Sequence, residues 1–156
     1  MTCPVIAAVN GHAITGGLEL MLACDMAIAA RNAKFADTHA AVGIIPGWGL
    51  SQRLSRLIGI ARARQMHFSA RAIDATTAER WGLVNSVVAQ SDLLETALDL
   101  ARSIAAHDPD AVTQIKALVN DGAALPFGQA MALETRRSSE NYAAARPKNL
   151  IADGAK

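Results

Sequence analysis

The run Asn10-Gly11-His12-Ala13-Ile14-Thr15-Gly16-Gly17-Leu18-Glu19-Leu20, placed directly after the apolar stretch Pro4-Val5-Ile6-Ala7-Ala8-Val9, restricts the fold more tightly than any other part of the chain. The apolar stretch has strand character, Asn-Gly is a turn pair, and Gly16-Gly17 opens an apolar segment, Leu18 to Cys24, that is helical in character. The order is therefore strand, glycine turn, helix. It aims backbone N–H groups and the positive end of a helix dipole at one point, with Glu19 beside them in the first turn. Such a point suits a developing oxyanion.

Downstream, Met26-Ala27-Ile28-Ala29-Ala30 reads as a buried strand, and Arg31-Asn32-Ala33 as a turn into a short extended piece, Lys34-Phe35-Ala36. Gly43-Ile44-Ile45-Pro46-Gly47-Trp48-Gly49 is a second glycine-punctuated loop. The spacing of Leu50, Leu54, Leu57 and Ile58 predicts a helix ended by Gly59, followed by another from about Ile60. Asp74 or Thr76 caps a further helix that Gly82 stops, and Leu83–Val88 is then a strand. Beyond it the chain turns helical, with Leu93, Leu94, Ala97, Leu98, Ala101 and Ile104 as one apolar stripe and Asp108-Pro109 as a break. Helices from about Asp110 to Asn120 and from about Phe127 to Tyr142 follow. The expected organisation is a core over residues 1–107 and a helical segment over 108–156.

With 156 residues, 51% of them hydrophobic, the chain has apolar material for one ordinary globular core. A formal net charge of +1 leaves no broad electrostatic footprint for nucleic acid or an anionic membrane surface. No apolar run is long enough to span a bilayer. Cys3 and Cys24 lack metal-ligand spacing and follow no secretory signal, which points to thiols in a reducing cytoplasm. A small-molecule substrate is expected, and no metal site.

The ordered series Pro4–Gly11, Gly16-Gly17-Leu18-Glu19-Leu20, Ala23-Cys24-Asp25, Phe35-Ala36, Gly43-Ile44-Ile45-Pro46-Gly47, Gln52-Arg53-Leu54 and Ala78-Glu79-Arg80-Trp81-Gly82-Leu83-Val84 closely resembles the enoyl-CoA hydratase/isomerase, or crotonase, family. The resemblance extends from about Cys3 to at least His107. It implies an α/β fold, a spiral of repeated ββα turns, with the helical remainder similar to the family's oligomerisation segment. It further implies trimers or pairs of trimers (hexamers), an acyl-CoA thioester as substrate, and stabilisation of a thioester enolate. CoA then arrives as part of the substrate, and no separate cofactor is expected.

By the same resemblance, Gly16, with Gly17 adjoining, donates one of two backbone N–H groups to the thioester oxygen, where a lost donor typically costs about 3 kcal/mol. The other donor belongs to a loop earlier in the family fold, so this chain is expected to be a partial spiral without the N-terminal turns. Arg146-Pro147-Lys148-Asn149-Leu150 stops about where relatives add a last helix. Glu19 matches the first of the two hydratase glutamates, whereas His39 stands at the second, in Phe35-Ala36-Asp37-Thr38-His39-Ala40.

Hydration needs water activated and a proton delivered to the α-carbon, and an imidazole beside a carboxylate is able to share that work. Glu19 as base and His39 as proton donor or water anchor are the candidate catalytic pair, with Asp37 in reserve. Trp48, with Pro46 and Gly47, is a candidate for the acyl pocket, weighed against simple packing. His12, His67 and His107 receive no role, and the Arg53, Arg56, Arg62 and Arg64 series reads as a solvated face. The leading reading is an enoyl-CoA hydratase. Its alternative is a catalytically silent subunit that oligomerises or binds acyl-CoA.

Overall fold

The computed structural model of the chain describes residues 1–144. It opens with β1 (Ile6–Val9), β2 (His12–Ile14) and α1 (Gly16–Leu22). The order then repeats with β3 (Met26–Ala30), β4 (Lys34–Ala36), a 3-10 turn (Ala40–Val42), α2 (Leu50–Ile58) and α3 (Ile60–Ser69). After these come β5 (Ile73–Asp74), α4 (Ala75–Trp81), β6 (Ser86–Val88) and α5 (Leu93–Ala105).

Successive strands leave for different sheets. β1, β3 and β6 form one parallel sheet with Ile6 opposite Met26 and Ile28 opposite Ser86. In the other sheet β2 pairs parallel with β4, with His12 opposite Lys34 and Ile14 opposite Ala36, and β4 pairs antiparallel with β5. Two strand–strand–helix turns thus stack on each other, the architecture of a partial ββα spiral.

β3 explains why the stack holds. Its run lacks polar residues because both faces are covered, as expected of a central parallel strand. Ala27 and Ala29 belong to the main core with Leu18, Phe35, Leu50, Leu54 and Met66, while Ile28 and Ala30 pack with Leu93 and Ala97 of α5. Asn85 extends the β3–β6 ladder, its N–H donating to the Ala27 carbonyl at 2.8 Å and its Oδ1 accepting from Ala27 N–H at 2.9 Å. Asp25 performs a similar task at the other edge, where its Oδ2 accepts from Val5 N–H at 2.7 Å.

Helix ends follow the local chemistry. Asp74, rather than Thr76, caps α4 by accepting from Thr77 N–H at 2.8 Å. Gly82, at φ +77°, closes it, and Leu83 N–H reaches back to the Ala78 carbonyl at 2.8 Å.

Four sequence expectations are corrected. The glycine run after β1 hides a strand, since His12–Ile14 is held extended by β4. Helix α1 ends at Leu22, before Cys24. Leu83 and Val84 are buried but precede β6, because Gly82 and the α4 carbonyls still hold that chain in a turn. In α5 the buried line is Leu93 and Ala97, while Leu94 and Leu98 face outward, since α5 meets the sheet along a stripe narrower than its apolar face.

The chain divides into two compact units, the second beginning at Pro109. Its described part is a pair of helices, α6 (Pro109–Ala123) and α7 (Phe127–Ala144). They are joined by an Arg137–Asp121 ion pair at 2.6 Å and by Asn141 Nδ2 donating to Gln114 Oε1 at 3.0 Å. Arg146–Leu150, expected above to precede the place of a last helix, lies outside the described residues.

In α2, Leu50, Leu54 and Ile58 are buried at i, i+4 and i+8, whereas Leu57 is 49% exposed. Leu54→Ala is therefore expected to destabilise the chain by about 2–5 kcal/mol. Leu57→Ala is expected to stay within about 1 kcal/mol of the parent, since its side chain already meets water. Urea unfolding of the two variants measures the contrast; equal losses would contradict this packing.

Candidate active site

Thr15 joins β2 to α1 at φ +53° and ψ −110°, a conformation that a β-branched residue rarely adopts. Its polar groups are all engaged. Thr15 N–H donates to the Ala36 carbonyl at 2.9 Å, and its own carbonyl accepts from Glu19 N–H at 2.9 Å. Thr15 Oγ1 accepts from Thr38 N–H at 3.2 Å and hydrogen-bonds the Thr38 hydroxyl. The chain entering Gly16 is thereby fastened to the chain entering His39. Gly16 and Gly17 are the first two residues of α1, not the turn itself, and no side chain caps that helix. Their N–H groups have no intrahelical partner to bond.

Glu19, buried in the first turn of α1, extends to the N-terminus of α2. Its Oε1 accepts from Trp48 N–H at 2.8 Å and from Leu50 N–H at 3.4 Å. The carboxylate thus supplies the cap that Gly49, at φ +101°, cannot give α2. Trp48 is 73% exposed, and the edge of its ring stands over Gly16, 3.5 Å from where a Cβ there would sit. Pro46 is half-buried and Gly47 exposed on the same loop. Arg53, expected on a solvated face, instead donates from Nη1 to the Leu22 carbonyl at 2.9 Å and closes the far end of α1.

His39, also buried, begins the 3-10 turn. Its Nδ1 lies 2.6 Å from Asp37 Oδ1, which also accepts from His39 N–H at 3.0 Å. The other oxygen of Asp37 lies 2.5 Å from Nδ1 of His67, on α3. His67 had no role in the sequence reading, and nothing in its spacing from Asp37 announces the contact, which only the packing of α3 against the turn creates. Burial favours the neutral form of Asp37. The hydrogen bonds from His67 and from the backbone and ring of His39 outweigh it and hold the carboxyl below its ordinary value.

Among the described residues, His67 Nε2 is the only buried side-chain polar atom without a partner. Glu19 Oε2 and His39 Nε2 also make no hydrogen bond there, so both retain contact with solvent. The two sequence-predicted titratable groups thus keep one open atom each. Among the described residues no group of three or more His, Cys, Asp or Glu is arranged to hold a metal ion, and no helix is long and apolar enough to cross a membrane.

The sequence profile of the enoyl-CoA hydratase/isomerase family matches residues 1–149. The chain belongs to this family. An Arabidopsis thaliana protein named probable enoyl-CoA hydratase 1, peroxisomal, is 45% identical over 89% of the chain and 52% of its own length. The short-chain-enoyl-CoA hydratase of Clostridium acetobutylicum is 42% identical over 95% of the chain and 57% of its own. A solved enoyl-CoA hydratase from Bacillus anthracis superposes with a TM-score of 0.89 at 39% identity, over 93% of this chain and 56% of that one. The chain thus spans about half the length of these enoyl-CoA hydratase/isomerase relatives, and within that span it shares their fold.

Because the folded-state pKa of Asp37 lies below its ordinary 3.8, its ionised form stabilises the fold fully above that pH. The contribution disappears as pH falls through the lower, folded-state value. Asp37→Asn is expected to be less stable than the parent at neutral pH, with the difference closing on the acid side of about pH 4. Urea midpoints across pH measure this; two parallel curves would contradict it.

Proposed function

We propose that the chain contributes to hydration of a 2-enoyl-CoA thioester, carried by Glu19, Gly16 and His39. The observation that supports this reading best is Glu19: one oxygen is fixed by two backbone N–H groups, while the other stays open in the turn that begins with Gly16. In the proposed step Glu19 Oε2 takes a proton from water and the oxygen adds to the β-carbon. Charge moves through the conjugated system to the thioester oxygen, where Gly16 N–H, supported by Gly17, stabilises it. Return of that proton from Glu19 to the α-carbon collapses the enolate and leaves a 3-hydroxyacyl thioester. His39 takes the second acid/base position.

The second oxyanion donor, by family resemblance, comes from a segment other than those described. Trp48, over Gly16, and the adjoining Pro46 and Gly47 are assigned to the acyl side of the site. CoA is part of the substrate, and the step calls for no metal or redox cofactor. We further assign a homotrimeric or hexameric assembly and the cytoplasm, the latter because Cys3 and Cys24 are thiols.

Loss of the conjugated-enoyl absorbance of crotonyl-CoA tests the proposal. Glu19→Gln keeps an oxygen for the Trp48 and Leu50 N–H groups but removes the base. The variant is expected to lose about 10²- to 10⁴-fold in turnover with little loss of stability. Equal rates in parent and variant would refute the role of Glu19, and no turnover by the folded parent would favour the silent acyl-CoA-binding subunit.

A further inference from the structure

The family resemblance places a carboxylate where this chain has His39, and the two groups differ in what they offer a water molecule. A carboxylate presents only lone pairs, whereas a neutral imidazole presents a lone pair on one nitrogen and a proton on the other. Which nitrogen carries the proton is set by what the ring's other nitrogen touches.

Asp37 settles that question by geometry. Its side chain is buried, and each carboxylate oxygen faces an imidazole Nδ1: Oδ1 that of His39 at 2.6 Å, Oδ2 that of His67 at 2.5 Å. An ionised carboxylate only accepts hydrogen bonds, so both rings must carry a proton on Nδ1. Oδ1 also accepts His39 N–H, which anchors Asp37 and His39 to each other through main chain as well as ring. His67 is braced on the opposite side. Its Nε2 is buried without a partner, and a proton there would be an orphaned donor on a charged ring, so a neutral Nδ1–H ring is the form that fits.

We propose that Asp37 is a positioning residue that holds His39 in its Nδ1–H tautomer, leaving Nε2 as a lone-pair acceptor in place of the carboxylate oxygen that the family resemblance implies at this position. His67 fixes the second oxygen of Asp37 and so keeps the first on His39. The catalytic consequence rests on the hydration reading above: neutral His39 anchors the water by accepting a hydrogen bond from it at Nε2, while Glu19 Oε2 takes the proton. The tautomer itself does not depend on that reading.

Long-range ¹H–¹⁵N correlation spectra of the ¹⁵N-labelled full chain, at a pH above the ordinary imidazole value of about 6.5, report the tautomer directly. The expected result is Nδ1–H for both His39 and His67, with His39 moving toward Nε2–H in Asp37→Asn. Crotonyl-CoA kinetics on the same samples should show kcat reduced at least about tenfold in Asp37→Asn with KM nearly unchanged, as expected for a mis-set imidazole. Should Asp37→Asn fail to fold, the parent spectrum decides alone; in His67→Gln, whose amide N–H can still donate to Asp37 Oδ2, His39 must keep its Nδ1–H. An Nε2–H His39 in the parent overturns the proposal even if hydration is observed. An Nδ1–H His39 in a parent without turnover supports it and overturns the hydration reading instead.

Discussion

Thr15 holds a backbone conformation that costs about 1–3 kcal/mol, and the site is arranged around the contacts that offset it. Parallel pairing of β2 with β4 sets Ile14 opposite Ala36, and Thr15 prolongs the pairing through the Ala36 carbonyl. At that point the two chains diverge, one into α1 and the other into the turn that carries His39. The Thr15 hydroxyl spans the divergence by bonding the Thr38 N–H and hydroxyl. Three residues beyond Ala36 stands His39; four beyond Thr15 stands Glu19. The relative placement of the two acid/base candidates therefore descends from one strand register and one pair of threonines.

Each buried carboxylate next to this junction links two elements. Glu19 ties α1 to the start of α2, and Asp37 ties the His39 turn to α3. Burying a charge is costly unless hydrogen bonds surround it, and both carboxylates are met by N–H donors. The same contacts leave one atom of each proposed acid/base group without a protein partner among the described residues: Oε2 of Glu19 and Nε2 of His39. The structural contacts and the proposed acid/base roles thus fall on different atoms of the same groups.

The parts of this arrangement written in local patterns were readable from sequence. Gly59 and Gly82 end helices, Asp74 is one of the two caps the pattern offers α4, and the unbroken apolar run of β3 announces a buried strand. The candidate pair Glu19 and His39 emerged from motif resemblance, not from periodicity. What escaped was non-local. β2 is only three residues long and exists because β4 supplies its partners. Nothing in a threonine between isoleucine and glycine signals a positive φ, since a glycine is the residue expected there. His67 is 30 positions from Asp37 and meets it only after α3 has packed. Leu94 and Leu98 fit an apolar stripe yet face outward, because the contact area of the sheet, not the helix, decides how much of the stripe is covered.

A double-mutant cycle on Thr15→Val and Thr38→Val, read by urea unfolding, addresses the junction most directly. Valine preserves the shape and β-branching of both residues while removing the hydroxyls. If the threonines fasten the Glu19 and His39 arms together, the two losses should be non-additive, with a coupling energy of about 0.5–3 kcal/mol. Additivity within about 0.3–0.5 kcal/mol would show that the threonine pair does not hold the two arms in place.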